Sequence, residues 1–560
     1  MVAKRPHGAQ LLPIFISLDL SQETETDERM LAVKAIHKLC SSHSKSELHD
    51  IEVESGLIIT LCIQLNYFLN RNLDKLYSPL FHIFDALGHI YCCSEVARGE
   101  SLQEFGENLL FLSAKALSVC RATIRKCNDE QIASKDHILL AVTGEVNFIH
   151  VQTIGACRNV IACILKLFRS LSRNQRTSLL MIKCDIAVLD VAHHITEHGN
   201  DEARVEAFAL IKNLTFHAEE YRSRIMDQPC LLNALVQSCL DQLHSGPRED
   251  SSAIMRNLAM STEAKLRMAE HNGLLYAMVQ LSKDSNLKVR RNAISVIGSL
   301  AISEETRILI ATCGEGMILD VLKRTILFDE DSISRRRAGR TFCCFGRSEV
   351  AELVANHSGV ISSLCKVTRN DSNTETRLEA AEALAAFISQ VPEPITCYEE
   401  IIASMVRMFS LSACTNMAAK ILKGLAQYHS YRKSMAELPG VLKALGKALI
   451  RPTATAKEKE CITGILFELS REEENKEKLT CTPVLAALTE ISSNENYDCQ
   501  VARILAIKCF VNIADQSKNR AALANFDGLL SSLVNFLGHS PDERTRIEVK
   551  QVLVSLVTKL

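Results

Sequence analysis

Leu287-Lys288-Val289-Arg290-Arg291-Asn292-Ala293-Ile294-Ser295-Val296-Ile297-Gly298-Ser299-Leu300-Ala301 is the stretch from which the rest of the chain is read. Val289, Ala293, Val296, Ile297 and Leu300 fall at i, i+4, i+7, i+8 and i+11, which is one apolar stripe on a helix of about three turns. Such a helix is marginal alone in water and must lay its stripe against a neighbour. A short charged helix follows at Glu305-Thr306-Arg307-Ile308, then a turn at Gly316, and the same arrangement begins again before Gly359.

Copies recur along the chain. The last turn of each long helix aligns at Ser170-Leu171, Asn213-Leu214, Asn257-Leu258, Ser299-Leu300, Cys344-Phe345, Ala386-Phe387, Gly424-Leu425, Glu468-Leu469, Asn512-Ile513 and Ser555-Leu556. Successive anchors are 38 to 45 residues apart, mostly 42 to 44. Six residues before the anchor a small residue recurs, as Ala207, Ala293, Ala338, Ala380, Ala418 and Ala506, where a larger side chain would push stacked helices apart. Gly273, Gly316, Gly359, Gly440 and Gly528 close the short helices, as a left-handed turn requires. A third helix follows each turn, as in Leu274 to Leu281, Val360 to Val367, Val441 to Leu449 and Leu529 to Leu537. Three helices in roughly 43 residues differ from two-helix repeats of about 34.

Composition fits a helical array. Of 560 residues 47 % are hydrophobic and 23 % charged, with only 22 Gly and 11 Pro to interrupt helices. A net charge of −2 gives no global field to gather nucleic acid or anionic lipid, so neither is an expected partner. The 21 cysteines sit singly on apolar faces or as adjacent pairs, without a second matching CxxC, and are read as reduced core residues. No signal peptide and no membrane-spanning apolar run are expected, which points to a soluble protein of the cytoplasm or nucleus. The domain reading is a mobile leader at 1–27, degenerate helical repeats at 28–127, an insertion or loop at 128–155, where Ile138 to Ile149 lacks helical spacing, and a repeat array at 156–560.

The Ala–x5–Asn/Ser–Leu helix, the charged short helix and the glycine together resemble the armadillo repeat family, the solenoid shared by beta-catenin and the importin-alpha adaptors, with HEAT repeats as the nearest competitor. The resemblance covers about Ala156 to Leu560. It implies an all-α, right-handed α-solenoid of armadillo-type three-helix repeats whose third helices line a concave groove for extended peptides. Importin-alpha adaptors clamp peptide backbone with an asparagine at the anchor, matched here at Asn213, Asn257 and Asn512. They stack lysine stems on a tryptophan four residues earlier. This chain has no Trp; the equivalent positions are Ala209, Ala253, Ser295, Arg340, Glu382, Lys420 and Lys508. That absence argues against a receptor for nuclear localisation signals.

In the family register Arg336, Arg337 and Arg340 fall on the groove side of their helix, and Arg291, Asn292 and Ser295 on that of its neighbour. With stacked helices about 10 Å apart, these guanidinium groups could converge on an acidic or phosphorylated segment. The other reading is a solvated face balanced by Asp329, Glu330 and Asp331. Glu375, Glu379 and Glu382 either read basic residues of the same ligand or pair with Arg377. The alternating charges at Lys457 to Glu460 and Arg471 to Lys478 read as exposed helix that aids solubility. His193, His194 and His198 include an i, i+4 pair, but with no third ligand in range they read as surface residues.

No phosphate loop, GxSxG, HExxH or Cys-His signature occurs, so no catalytic residue, metal or cofactor is expected. The expected function is a non-catalytic scaffold or adaptor that holds extended segments of other proteins in the groove, with Arg291, Asn292, Ser295, Arg336, Arg337, Arg340, Asn213, Asn257, Lys420, Lys508 and Asn512 as candidate contacts. The alternatives are a nuclear-transport cargo adaptor and a regulator of a small GTPase.

Overall fold

The computed structural model describes residues 26–42, 77–93, 144–183, 201–241, 245–391, 397–409, 414–494, 497–539 and 543–557, with isolated positions between 61 and 123 and residue 411. Among the described residues there are helices and turns and no strand. Contacts divide the chain into two compact units, 1–268 and 269–560.

The first unit holds α1 (Thr26–Ser42), α2 (Tyr77–Cys93), α3 (Gly144–Leu171), α4 (Gln175–Lys183), α5 (Asp201–His217), α6 (Glu219–Met226), α7 (Pro229–Leu240), α8 (Ser245–Leu258) and α9 (Thr262–Glu270), whose last turn crosses the boundary. The helices α1, α2, α3, α5 and α8 pack consecutively. The second unit holds α10 (Leu274–Leu281), α11 (Leu287–Ala301), α12 (Glu304–Thr312), α13 (Met317–Phe328), α14 (Ser332–Gly346), α15 (Ala351–Asn356), α16 (Val360–Asn370), α17 (Thr374–Gln390) and α18 (Tyr398–Met408). It continues with α19 (Thr415–Ala426), α20 (His429–Glu437), α21 (Val441–Leu449), α22 (Ala456–Ser470), α23 (Thr482–Ser492), α24 (Gln500–Asp515), α25 (Arg520–Ala524), α26 (Leu529–His539) and α27 (Glu543–Val557).

Two rows of helices run through the second unit. The long helices α11, α14, α17, α19, α22, α24 and α27 pack each on the next, and α10, α13, α16, α18, α21, α23 and α26 form a parallel row. Each long helix between the ends of the row therefore has a neighbour of its own kind on either side, as one-dimensional stacking demands. The expected seam is seen: Val289, Ala293, Val296, Ile297 and Leu300 are at most 1 % exposed, and the alanines six before the anchor, Ala207, Ala293, Ala338, Ala380, Ala418 and Ala506, are fully buried. The turn glycines are left-handed, with φ between 79° and 92° at Gly273, Gly316, Gly359, Gly440 and Gly528.

The corner leading into a long helix is a motif that the sequence reading missed. In Asp284-Ser285-Asn286, Asp329-Glu330-Asp331 and Asp371-Ser372-Asn373, the first Asp accepts from the backbone N–H two residues on, at 2.7, 2.9 and 2.8 Å. The third residue caps the helix: Asn286 accepts from the Lys288 N–H, Asp331 from those of Ile333 and Ser334, Asn373 from that of Thr376. An arginine six residues after the first Asp folds back onto the corner, Arg290 and Arg335 donating to the carbonyls of Asp284 and Asp329 at 3.0 and 2.8 Å, and Arg377 to that of Asp371. Arg290 and Arg335 also pair with the next corner, at Asp329 (3.1 Å) and Asp371 (2.7 Å), whose side chains are 6 % and 5 % exposed. The first two corners are thus each tied to the next by a largely desolvated ion pair.

A second arginine caps the other end of the long helix. Arg222, Arg307, Arg432 and Arg520, each on the short charged helix, donate through Nε to the carbonyls of Thr215, Ala301, Ala426 and Ala514, at 2.7 to 3.0 Å. These carbonyls lie at the open C-terminal end of the helix, where cations are favoured. The recurrence of charge in the short helices thus has a structural cause.

Three readings are corrected. Helix α3 begins at Gly144, so the end of the segment read as a loop at 128–155 is helical. Its Val and Thr residues cost a helix only tenths of a kcal/mol each, no proline breaks it, and Ile154, Cys157 and Val160 are buried. The charged run at 471–478 is largely exposed, as read, but it lies in short 3-10 turns rather than a helix and its charges are paired: Glu472 with Arg432, Glu474 with Lys433, Lys476 with Asp515, Glu477 with Lys518 and Lys478 with Glu437, which links the short elements of three successive repeats. Glu375 and Glu379 pair with arginines of the preceding repeat rather than with Arg377. Residues 1–25 and His193, His194 and His198 lie outside the described residues.

The cysteines whose side chains are described are free thiols, and burial pushes those of Cys239 and Cys365 up to about 12. Among the described residues no helix is long and apolar enough to cross a membrane.

Candidate partner-binding face

One side of each long helix carries the buried seam, so the opposite stripe is what the row offers to a ligand. On α11 that stripe includes Lys288, Arg291, Ser295 and Ser299; on α14, Arg336, Arg337, Arg340 and Cys344, with Arg347 just past its end; on α17, Glu375, Glu379 and Glu382. Farther on come Lys420 and Lys423 of α19, Gly464, Phe467 and Glu468 of α22, and Ile504, Leu505, Lys508 and Asn512 of α24.

The arginine cluster already has carboxylate partners. Arg291 grips Asp331 through two hydrogen bonds of 3.0 and 2.9 Å, Arg336 pairs with Glu375, and Arg340 reaches Glu379 at 2.5 Å. Arg347 lies 3.9 Å from Glu382, and Arg337 donates to Ser295 and to the Arg291 carbonyl. Burial raises the Asp331 carboxyl, but hydrogen bonds from Arg291 and Ser334 outweigh it and hold the group at about 2. The carboxylates that answer Arg291, Arg336, Arg340 and Arg347 all come from the following repeat.

The anchor asparagines behave likewise. Asn213 donates to the Arg169 carbonyl at 3.2 Å and Ser172 Oγ at 3.1 Å, Asn257 to the Lys212 carbonyl and Thr215 Oγ1, both at 3.2 Å, and Asn512 to Ser470 Oγ at 2.8 Å. Each staples its helix to the end of the long helix before it. Asn257 is 1 % exposed and Asn292 5 %, so they present almost no surface to a ligand. Asn213 and Asn512 are half-buried, and Ser295 is 9 % exposed.

The lysines differ. Among the described residues Lys420, Lys423 and Lys508 have no hydrogen-bond or ion-pair partner, and Lys420 is exposed. Gly464 occupies the position between Lys420 and Lys508 in the row, and a Cβ built there would meet Lys423 Cε at 3.4 Å, so the lysine stem lies across bare backbone. Phe467 and Leu505 are half-exposed beside this notch. The helices α19, α22 and α24 thus combine unneutralised ammonium groups with apolar surface. Lys423, Gly464, Phe467 and Leu505 were missed in the sequence, because only the structure separates partnered from unpartnered charges.

No protein-family model matches the sequence, and no curated protein is similar to it. Similarity is found in structure. An engineered protein, 14 % identical, matches 90 % of this chain and 98 % of its own with a TM-score of 0.51. A structure from work on a phosphorylation switch controlling the interaction between cadherin and beta-catenin, 12 % identical, matches 90 % of this chain and 94 % of its own with a TM-score of 0.56. A designed armadillo repeat protein for modular peptide recognition matches 42 % of this chain at 20 % identity, with a TM-score of 0.35. Stacked three-helix repeats with left-handed glycine turns, together with the match to the beta-catenin structure over nearly its whole length, make this chain an all-α solenoid of the armadillo-like type.

Proposed function

We propose that this protein is a non-catalytic scaffold that holds extended, acidic segments of partner proteins along the long-helix face of its second unit. The observation that carries this reading is the set of unpartnered lysines, Lys420, Lys423 and Lys508, around the Gly464 notch. Neighbouring arginines on the same face are neutralised by internal carboxylates, so an incoming anion gains most at the lysines. Arg291, Arg336 and Arg340 then serve mainly to fix their helices, and an external phosphate would have to displace Asp331, Glu375 or Glu379 to reach them, while Arg337 is engaged by Ser295 and the Arg291 carbonyl.

Repeat spacing sets the ligand's register. Helices about 10 Å apart correspond to about three residues of extended chain at roughly 3.3 Å each. Lys420 and Lys508 lie two long helices apart, so the segment that fits carries acidic residues about six positions apart, with a bulky apolar residue between them for Phe467 and Leu505. The fold agrees with this use, since the beta-catenin of the matched structure interacts with cadherin.

The test is affinity capture with Lys420→Glu/Lys423→Glu/Lys508→Glu beside Lys443→Glu/Lys447→Glu on α21, in the other helix row. Partners lost with the first variant and retained by the second are expected. Identical partner sets for the wild type and the first variant would overturn the reading.

A further inference from the structure

An open cavity of about 680 Å³ lies away from the long-helix face, lined by residues at the end of α12, in the turn after it, and in and around α15. Its walls include Ala311 and Leu353, and Glu315, Glu349 and Glu352 surround it. None of these three carboxylates has a hydrogen-bond or ion-pair partner among the described residues. His357, also in the lining, is held by Asp320 at 3.0 Å.

Two repeats earlier the corresponding short helices are joined from within the chain. There Arg267 of α9 donates to the Met226 carbonyl at the end of α6 and pairs with Asp227 at 3.0 Å. Arg267 stands seven residues before the next helix begins at Leu274, and Asp227 two residues before Pro229. In the cavity, Leu353 stands seven residues before Val360, and Glu315 two before Met317. Counted back from the following helix, an acid is therefore present at the matching position, but leucine replaces the arginine that would answer it. The turn bearing Glu315 is also distinctive: Gly314, Glu315 and Gly316 have φ of 51°, 58° and 92°, and Glu315 is the single described non-glycine residue with positive φ.

We propose that this slot receives an arginine side chain from a partner protein. The guanidinium takes the place that Arg267 occupies in its own repeat, its methylene stem against Leu353 and Ala311 and its fork toward Glu315 and Glu352, a geometry suited to bidentate carboxylate contact. The site is independent of the long-helix face, so either can fail without the other.

The experiment is a saturation-transfer NMR titration of N-acetylarginine amide against the full chain, with N-acetyllysine amide alongside. Saturable transfer from the arginine probe is expected, at least tenfold weaker with Glu315→Gln/Glu352→Gln, abolished by Leu353→Arg, which fills the slot internally, and unchanged by Lys420→Glu/Lys423→Glu/Lys508→Glu. Leu353 is 43 % exposed and Glu315 and Glu352 are exposed, so these variants keep the seam intact. Absence of saturable transfer, persistence in Leu353→Arg, or equal binding of the lysine probe overturns the assignment.

Discussion

Replacing Gly446 by alanine sets two effects of opposite sign against each other. Gly446 lies inside α21, where alanine ordinarily stabilises a helix by about 1 kcal/mol relative to glycine. An added Cβ would stand 2.8 Å from the Pro483 carbonyl carbon and closer still to its oxygen, both backbone atoms at the start of α23. Ordinary carbon contacts lie at about 3.5 to 4.0 Å, so α21 and α23 must separate by roughly an ångström along a seam that includes fully buried Leu445, Leu449 and Leu488. Overpacking of this kind costs about 1 to 3 kcal/mol, and the loosened apolar contacts add to it, so the clash outweighs the propensity gain. The matched control is Gly155→Ala in α3, where nothing stands within 4 Å of the new Cβ and only the gain of up to about 1 kcal/mol remains. Urea unfolding followed by circular dichroism, with hydrogen exchange to localise the change, measures both, since an array of repeats need not unfold in one step. A Gly446→Ala protein as stable as the wild type, with unchanged exchange in α21 and α23, would refute the close inter-repeat approach from which the estimate is built.

Four further outcomes are expected. Leu300→Asp or Phe345→Asp, each placing a carboxylate at a fully buried position, should cost several kcal/mol and melt the surrounding repeats, seen as lost exchange protection in α11 and α14. Asn257→Ala removes both donations to α5 and should cost about 1 to 3 kcal/mol in urea unfolding. Asp331 titrates at about 2 when folded, below its ordinary 3.8, so its share of stability is present above about pH 4 and is lost as pH falls toward 2; Asp331→Asn should flatten the acid limb of the stability profile. His82 is held below 6.5 by burial first, then by His37 and Lys34, against the opposing pull of Asp85. Its neutral form is favoured on folding, so stability should decline as pH drops below 6.5, and His82→Gln should reduce that decline in thermal melts at pH 5 and 7.

The repeat was legible because its signals are local and recur. An apolar stripe at helical spacing, an alanine at six of the ten crossings and a glycine after five of the short helices are all visible in one dimension, and these were found where they were expected. The corner motif was equally open to reading, as Asp-x-Asn/Asp-x3-Arg at 284–290, 329–335 and 371–377, but it was obscured because its charges also fit a solvated face. Charge pairing was not legible. Whether Arg336 meets Glu375, or Lys476 meets Asp515, depends on which side chains stacking brings opposite one another about 40 residues away, and sequence spacing alone does not say so. The same uncertainty led the candidate site toward the arginines, whose density in the sequence is highest, and away from the lysines that lack partners. The first part of the Gly144–Leu171 helix, up to residue 155, was misread for a different reason: β-branched residues and a glycine weaken the periodic pattern without preventing a helix that has a neighbour to bury against.

Partner proteins are expected to lie along α19, α22 and α24. Site-specific photocrosslinking tests it most directly, with a benzophenone amino acid in place of Phe467 on the long-helix face and, separately, in place of exposed Val534 on α26 in the other row. Crosslinks to partner proteins from position 467 that vanish on adding Lys420→Glu/Lys423→Glu/Lys508→Glu, with none from 534, are predicted. Crosslinks from 534 alone, or from 467 undiminished by the three charge reversals, would contradict it.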